Sequence, residues 1–376
     1  MFSWFRQNNS SAANPKQRLL GTAENALMQT SRQNRREMKV GEVLHLHGSH
    51  ISLERLSAAI RLLQRRHPVL RSRLQHNPKI PDTYLLEEDD TLQLTIRGIP
   101  RKRANHLNFW RQEWNDDNSP REIVAIFEHS VCDGLSLSNV AHELLIALAG
   151  ENDNMFTNSL DWPIPMEMAI KRRLSLVAKL VIFGRAMFAA INLGAFNTRS
   201  TARIPIANVD FPLADMCNYC HTESCCGILS KDETQKLVDK CHREGVTVTA
   251  AVSSAIICTI STVVKSEENY PSTLRMSVSA DVRRRCVPPV SNNDLSYQIS
   301  CIIPIPIPTV NISTTPSSMW QLAKVFGHYV NMSVDTGQVL ALGMILGKIF
   351  QKILGQQNFA ELPTCGISSW GVIAIF

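Results

Sequence analysis

His129 lies four residues before Asp133, and Gly134 follows, in Glu128-His129-Ser130-Val131-Cys132-Asp133-Gly134. Imidazole takes and returns a proton near neutral pH without a shifted pKa, so a His held at a fixed point is a candidate general base. An Asp four residues later can turn its carboxylate back into the protein and pair with a cation. The Gly beside it permits a backbone conformation closed to other residues. The plainer reading of the same spacing is a surface His followed by an ordinary Asp-Gly turn.

The elements around the motif would hold it firmly. Ile123-Val124-Ala125-Ile126-Phe127 is an unbroken apolar run rich in β-branched types, which reads as a strand buried on both faces with His129 at its end. Beyond the turn, Leu137, Val140, Leu144 and Leu148 recur at helical spacing up to Gly150, predicting a helix that opens at about Leu137. Its N-terminal dipole points into the same neighbourhood and would favour an anion there by about 0.3–1 kcal/mol.

Four further segments carry weight: Arg65-Arg66-His67-Pro68-Val69-Leu70-Arg71, Gly227-Ile228-Leu229-Ser230, Asp281-Val282-Arg283 and Ile367-Ser368-Ser369-Trp370-Gly371. With the His129 motif, they resemble in kind and order the coenzyme-A- and carrier-dependent acyltransferases. That superfamily includes chloramphenicol acetyltransferase, peptide-synthetase condensation domains, alcohol acetyltransferases and the mycobacterial phthiocerol acyltransferases. The likeness is greatest to the last two branches. The family motif is His-His-x-x-x-Asp-Gly; Glu128 stands here for the first His, and His129, Asp133 and Gly134 match.

The resemblance implies an α/β fold of two chloramphenicol acetyltransferase-like sandwich subdomains with mixed sheets and an active-site tunnel between them. It divides the chain into a flexible arm (1–18), an N-terminal subdomain with the motif (19–163), a helical crossover linker (164–215) and a C-terminal subdomain (216–376). That last part is expected to be incomplete, because the sequence stops at Phe376, soon after Gly371. His129 is implied as the base and Asp133 as the partner of Arg283. Gly134 completes the turn, and Ser369 or Asn293 are candidate oxyanion donors. Arg283-Arg284-Arg285 also reads as a solvated patch or a site for coenzyme A phosphates. Leu295-Ser296-Tyr297 stands where the family often has Leu-Gly-Asn, and Ser369 where it has Asn.

A 376-residue chain with 44% hydrophobic and 19% charged residues has ample material for a globular core. A net charge of +6 without a long Lys/Arg block argues against nucleic acid as partner. The ten cysteines are scattered and read as reduced thiols. The N-terminus lacks a signal-peptide pattern, so the expected compartment is the cytoplasm, with possible contact at a membrane surface. Cys217-Asn218-Tyr219-Cys220-His221 matches a c-type haem attachment pattern and, with Cys225, has enough ligands for zinc. Haem attachment needs export, however, and Cys225-Cys226 runs into a predicted strand where neighbours face opposite ways. No metal is therefore expected, and His45 and His47 read as the solvated face of a strand.

Of the remaining chain, a helix capped by Ser52 carries Leu53, Leu56, Ile60 and Leu63 and is ended by Pro68, with strands at 84–87 and 92–96. A helix with an aromatic stripe is predicted over 105–115. Ser230-Lys231-Asp232-Glu233 is a capping box, 250–264 a buried helix and 274–281 a strand. The stretches 166–196 and 338–354 are apolar but interrupted by Lys and Arg. Each predicts a helix that covers the acceptor pocket, lies at a membrane surface or is buried between domains, rather than one that spans.

The function implied is an O-acyltransferase, working as a monomer, that moves an acyl group from acyl-CoA as co-substrate to an alcohol, a lipidic one included. It would bind no cofactor. The alternatives are a non-catalytic relative serving as a lipid-binding or interaction module, and a carrier-dependent condensation domain.

Overall fold

Two apolar cores organise the chain in the computed structural model, which describes residues 16–33, 38–46, 51–98, 121–150, 153–194, 201–202, 227–265, 273–309, 312–353 and 363–369. The first half contributes β1 (Gln17–Leu19), α1 (Thr22–Gln33), β2 (Lys39–Leu46), α2 (Leu53–Arg66), β3 (Ser72–His76), β4 (Tyr84–Glu88), β5 (Arg121–Glu128) and α3 (Gly134–Ala149). Two helices follow, α4 (Met166–Lys171) and α5 (Leu176–Asn192). The second half holds α6 (Lys231–Glu244), α7 (Val248–Lys265), β6 (Thr273–Asp281), β7 (Ile299–Cys301), β8 (Ile305–Pro308), α8 (Pro316–Asp335), α9 (Gln338–Ile353) and β9 (Cys365–Ile367).

β1, β4 and β3 form an antiparallel sheet, and β2 pairs antiparallel with β5 along its whole length. β6 is the centre of a mixed sheet, antiparallel to β7 and β8 and parallel to β9. The smaller core lies among α2, α3 and β4, with Leu63, Leu86, Leu137 and Leu144 buried. The larger is built on β6, α7, α8 and α9. Neither is confined to one half of the sequence: Ala23 and Leu27 of α1 enter the larger core, and Leu295 enters the smaller. Gly347 of α9 lets α1 approach so closely that a Cβ there would run into the backbone of Thr22.

Local signals account for many boundaries. Ser52 accepts the Arg55 N–H at 3.1 Å and α2 ends before Pro68. Ser230 and Glu233 form the reciprocal capping box of α6, and Gly245, at φ 69°, closes it. Along β6, Leu274, Met276 and Val278 are buried at every second position, and Arg275 between the first two is buried as well.

Several expectations need correction. β5 is half of a two-stranded ribbon, not a strand buried on both faces: Val124 and Ile126 are 57% and 67% exposed, while Phe127 packs inward. Mixed pairing is confined, among the described residues, to the β6 sheet. Residues 92–96 and 227–229 form no strand; the Leu92 carbonyl accepts from the Gln64 side chain instead of joining a ladder. The stretch from 166 is two helices, because Ser175 restarts the chain by accepting the Ala178 N–H at 3.1 Å. Most of the arm, the 105–115 helix, His47, the cysteine cluster at 217–226, Trp370 and Gly371 lie outside the described residues.

Candidate active site

The ladder of β5 ends at Glu128, and His129 continues it by one bond, donating its backbone N–H to Met38 at 2.9 Å. The chain then turns so that the His129 ring meets its own loop: Nδ1 lies 2.8 Å from the carbonyl oxygen of Cys132. A carbonyl only accepts, so Nδ1 carries the proton in this bond and Nε2 keeps its lone pair. The ring is half-buried and rests against Tyr297, edge to face, with centroids 5.5 Å apart and planes at 74°. Burial pushes the Tyr297 hydroxyl well above its ordinary pKa, so it stays protonated at neutral pH.

Among the described residues Asp133 is not hydrogen-bonded to His129 but to other partners. It is the N-cap of α3, and its Oδ1 accepts the Ser136 N–H at 2.9 Å. The helix therefore opens at Gly134, three residues before the expected start. Gly134 occupies the first helical position and has no positive φ, so the special conformation expected of it is not used. Asp133 Oδ2 accepts the Gln298 N–H at 2.8 Å and lies 2.9 Å from Arg283 Nη2. Both side chains are wholly buried.

Arg283 is a hub between sequence-distant segments. Nη2 also donates to Ser136 Oγ at 2.8 Å and to the Ser296 carbonyl at 3.2 Å. Nη1 donates to Asp281 Oδ1 at 2.9 Å. Ser136 Oγ lies 2.8 Å from the Ser296 carbonyl, and the Ser296 N–H donates to it at 3.2 Å. The three arginines separate here: Arg283 is buried, whereas Arg284 and Arg285 face solvent. The fork of the guanidinium suits this task, since it supplies several donors in one plane.

Other candidates fall elsewhere. Asn293 is exposed, and its backbone N–H donates to Ser291 Oγ at 3.1 Å. Ser369 is exposed and shares a 2.9 Å hydrogen bond with Thr249. Neither is hydrogen-bonded to His129 among the described residues. Glu128 turns to Lys39 and to Ser31, the latter at 3.0 Å, rather than to the His129 ring. No cluster of three His, Cys, Asp or Glu suited to a metal occurs among the described residues.

Sequence reasoning missed four participants: Ser136, Ser296, Tyr297 and Gln298. Only Ser136 had a local signal, the N-cap rule that an Asp before a helix accepts the N–H three residues on. It also missed a buried brace behind the site. Glu143 of α3 accepts from Arg66 Nε at 3.0 Å and meets His67 Nε2 at 2.6 Å, while Arg66 Nη1 reaches the Met155 carbonyl at 2.7 Å. Thus the Arg-His-Pro turn after α2 is clamped to the helix that Asp133 starts.

Residues 223–376 match the family described as phthiocerol/phthiodiolone dimycocerosyl transferase C-terminus. No curated protein sequence matches the chain. Solved structures extend the likeness to nearly the whole fold. Trichothecene 15-O-acetyltransferase TRI3 from Fusarium sporotrichioides superposes with a TM-score of 0.65 at 12% identity, over 95% of this chain and 80% of that one. Polyketide synthase associated protein 5 from Mycobacterium tuberculosis gives 0.57 at 17% identity, over 89% and 76%. The first condensation domain of the calcium-dependent antibiotic synthetase gives 0.57 at 13%, over 95% and 80%. The fold is therefore the α/β fold of the condensation-domain and chloramphenicol acetyltransferase-like proteins, as the motifs led one to expect. The matched family and TRI3 are named for moving acyl groups, and acyl transfer is the general class that these comparisons support.

Proposed function

We propose that the chain is an O-acyltransferase that carries an acyl group from a thioester, with acyl-CoA as donor, to an alcohol, a lipidic one included. His129 is the general base. The observation that carries this reading is the 2.8 Å bond from His129 Nδ1 to the Cys132 carbonyl, which leaves Nε2 as the basic nitrogen on a half-buried ring.

In the reaction, Nε2 takes the hydroxyl proton as the acceptor oxygen bonds to the thioester carbonyl carbon. The tetrahedral intermediate then collapses, the carbon–sulfur bond breaks, and the imidazolium returns its proton to the departing thiolate. Products are an ester and a free thiol, with no covalent enzyme intermediate. This chemistry calls for no resident cofactor. Asp133 and Arg283 act as positioning residues: their pair ties the 129–133 loop and the start of α3 to residues 281–298.

The test is thiol release from a panel of acyl-CoA donors, with and without alcohols, by wild-type chain and by His129→Ala. Alcohol-dependent release lost in the variant supports the reading. A folded wild type that releases no more thiol than the variant overturns it and leaves a binding module as the better account.

A further inference from the structure

α5 faces the protein on one side only. Ile182, Phe183 and Leu193 pack into the larger core, and Ile182 sits against Gly337 at the start of α9, where a Cβ would come within 2.8 Å of it. The opposite side is apolar as well. Leu176, Val177, Leu180, Met187, Phe188 and Ile191 are 55–73% exposed. At about 100° per residue they fall within one continuous arc of roughly 120°. Scattered exposed apolar residues are ordinary, but a contiguous stripe two aliphatic rows wide marks a surface that something covers.

The charges around the stripe indicate what. Lys171, Arg172 and Arg173 are exposed just before α5, and Arg185 is exposed on the helix itself. No Asp or Glu occurs from Met168 to Asn192. An apolar helix face whose own segment carries cations and no acid complements the surface of a bilayer that carries anionic headgroups. The helix has 17 residues, and among the described residues no single helix is long and apolar enough to cross a membrane, so contact in the plane of the surface is the geometry that fits.

We propose that α5 docks this chain on an anionic lipid bilayer, with the Leu180–Phe188 face in the headgroup–acyl boundary and Lys171, Arg172, Arg173 and Arg185 among the headgroups. The claim stands apart from the chemistry at His129.

The full chain is tested by co-sedimentation with sucrose-loaded vesicles of phosphatidylcholine alone or with 30% phosphatidylglycerol, a composition of about one anionic lipid in three chosen to give a strongly negative surface. The expectation is binding to the anionic vesicles that weakens as salt is raised. Arg172→Glu with Arg173→Glu should weaken it about fivefold or more per charge removed. Leu180→Glu with Phe188→Glu should abolish it while leaving the unfolding midpoint unchanged. No binding of the wild type, or equal binding by the apolar-face variant, overturns the proposal. So does a loss of folding stability, or a change from a larger assembly to a monomer, in the apolar-face variant; either result means that the face is covered by this chain or by a second copy.

Discussion

Replacing Arg283 by Met removes the cation that faces Asp133 while keeping most of the volume of the side chain. Both charges are fully buried and 2.9 Å apart. Removing one partner of such a pair costs about 3–5 kcal/mol, because the remaining charge is stranded. Here Asp133 keeps the Ser136 and Gln298 N–H groups and the dipole of α3, which places Arg283→Met toward the lower end, at about 3 kcal/mol. Asp133→Asn differs: Arg283 retains Asp281, but one carboxylate oxygen becomes a donor facing another donor, for about 2–3 kcal/mol. The double variant leaves neither charge stranded, so its cost should fall short of the sum by about 1.5 kcal/mol or more. Urea unfolding followed by both tryptophan fluorescence and far-ultraviolet circular dichroism measures each value, and coincidence of the two probes checks that one transition is being read. Single-variant costs that add to within about 0.5 kcal/mol, or an Arg283→Met cost under about 1 kcal/mol, would refute the reasoning.

Other expectations follow from packing and titration. Gly347→Ala should destabilise by about 1–3 kcal/mol despite the better helix propensity of Ala, since the new methyl meets the Thr22 backbone; Gly343→Ala should cost less, since Ile170 Cδ1 can move aside. Equal midpoints for the two variants would contradict this. Burial, and next the nearby Glu24, raise the Glu167 carboxyl pKa. Wild-type stability from this group is therefore greatest with the carboxyl neutral and declines as pH rises through the raised value. Glu167→Gln should gain stability relative to wild type as pH rises above the ordinary carboxylate range, and parallel profiles would count against it. Burial pushes the Cys286 and Cys301 thiols up to about 11 and Cys132 higher still, so iodoacetamide at pH 8 should leave all three unmodified in the native chain. Mass spectrometry would reveal rapid labelling if the account of their surroundings is mistaken.

What was legible in the sequence was local or punctuated by distinctive residue types. The Ser52 and Ser230 caps, the Gly150 and Gly245 stops and the apolar spacing of Leu274, Met276 and Val278 each depend on neighbours a few residues apart. The His129, Asp133 and Arg283 positions could be named because their residue types match a family pattern. What escaped were partners chosen by tertiary folding, such as Gln298, which meets Asp133 across 165 residues, and Glu143, which meets His67 across 76. Apolar composition was equally blind to environment. α5 and α9 read alike, yet α9 buries Val339, Ala341, Met344 and Leu346 while α5 leaves a whole face outside. The run 123–127 looked doubly buried because hydrophobicity alone does not say which face has a neighbour.

The central claim is that the free Nε2 of His129 moves the proton. The most direct measurement is mass-spectrometric detection of ester formed from acyl-CoA and an isotopically labelled alcohol, comparing wild type with His129→Asn. Asparagine can keep a donor toward the Cys132 carbonyl but offers no basic nitrogen. The account predicts that labelled ester forms with wild type and falls by about 10²–10⁴-fold in the variant, with unfolding unchanged. Ester formation at the wild-type rate by the variant would contradict it.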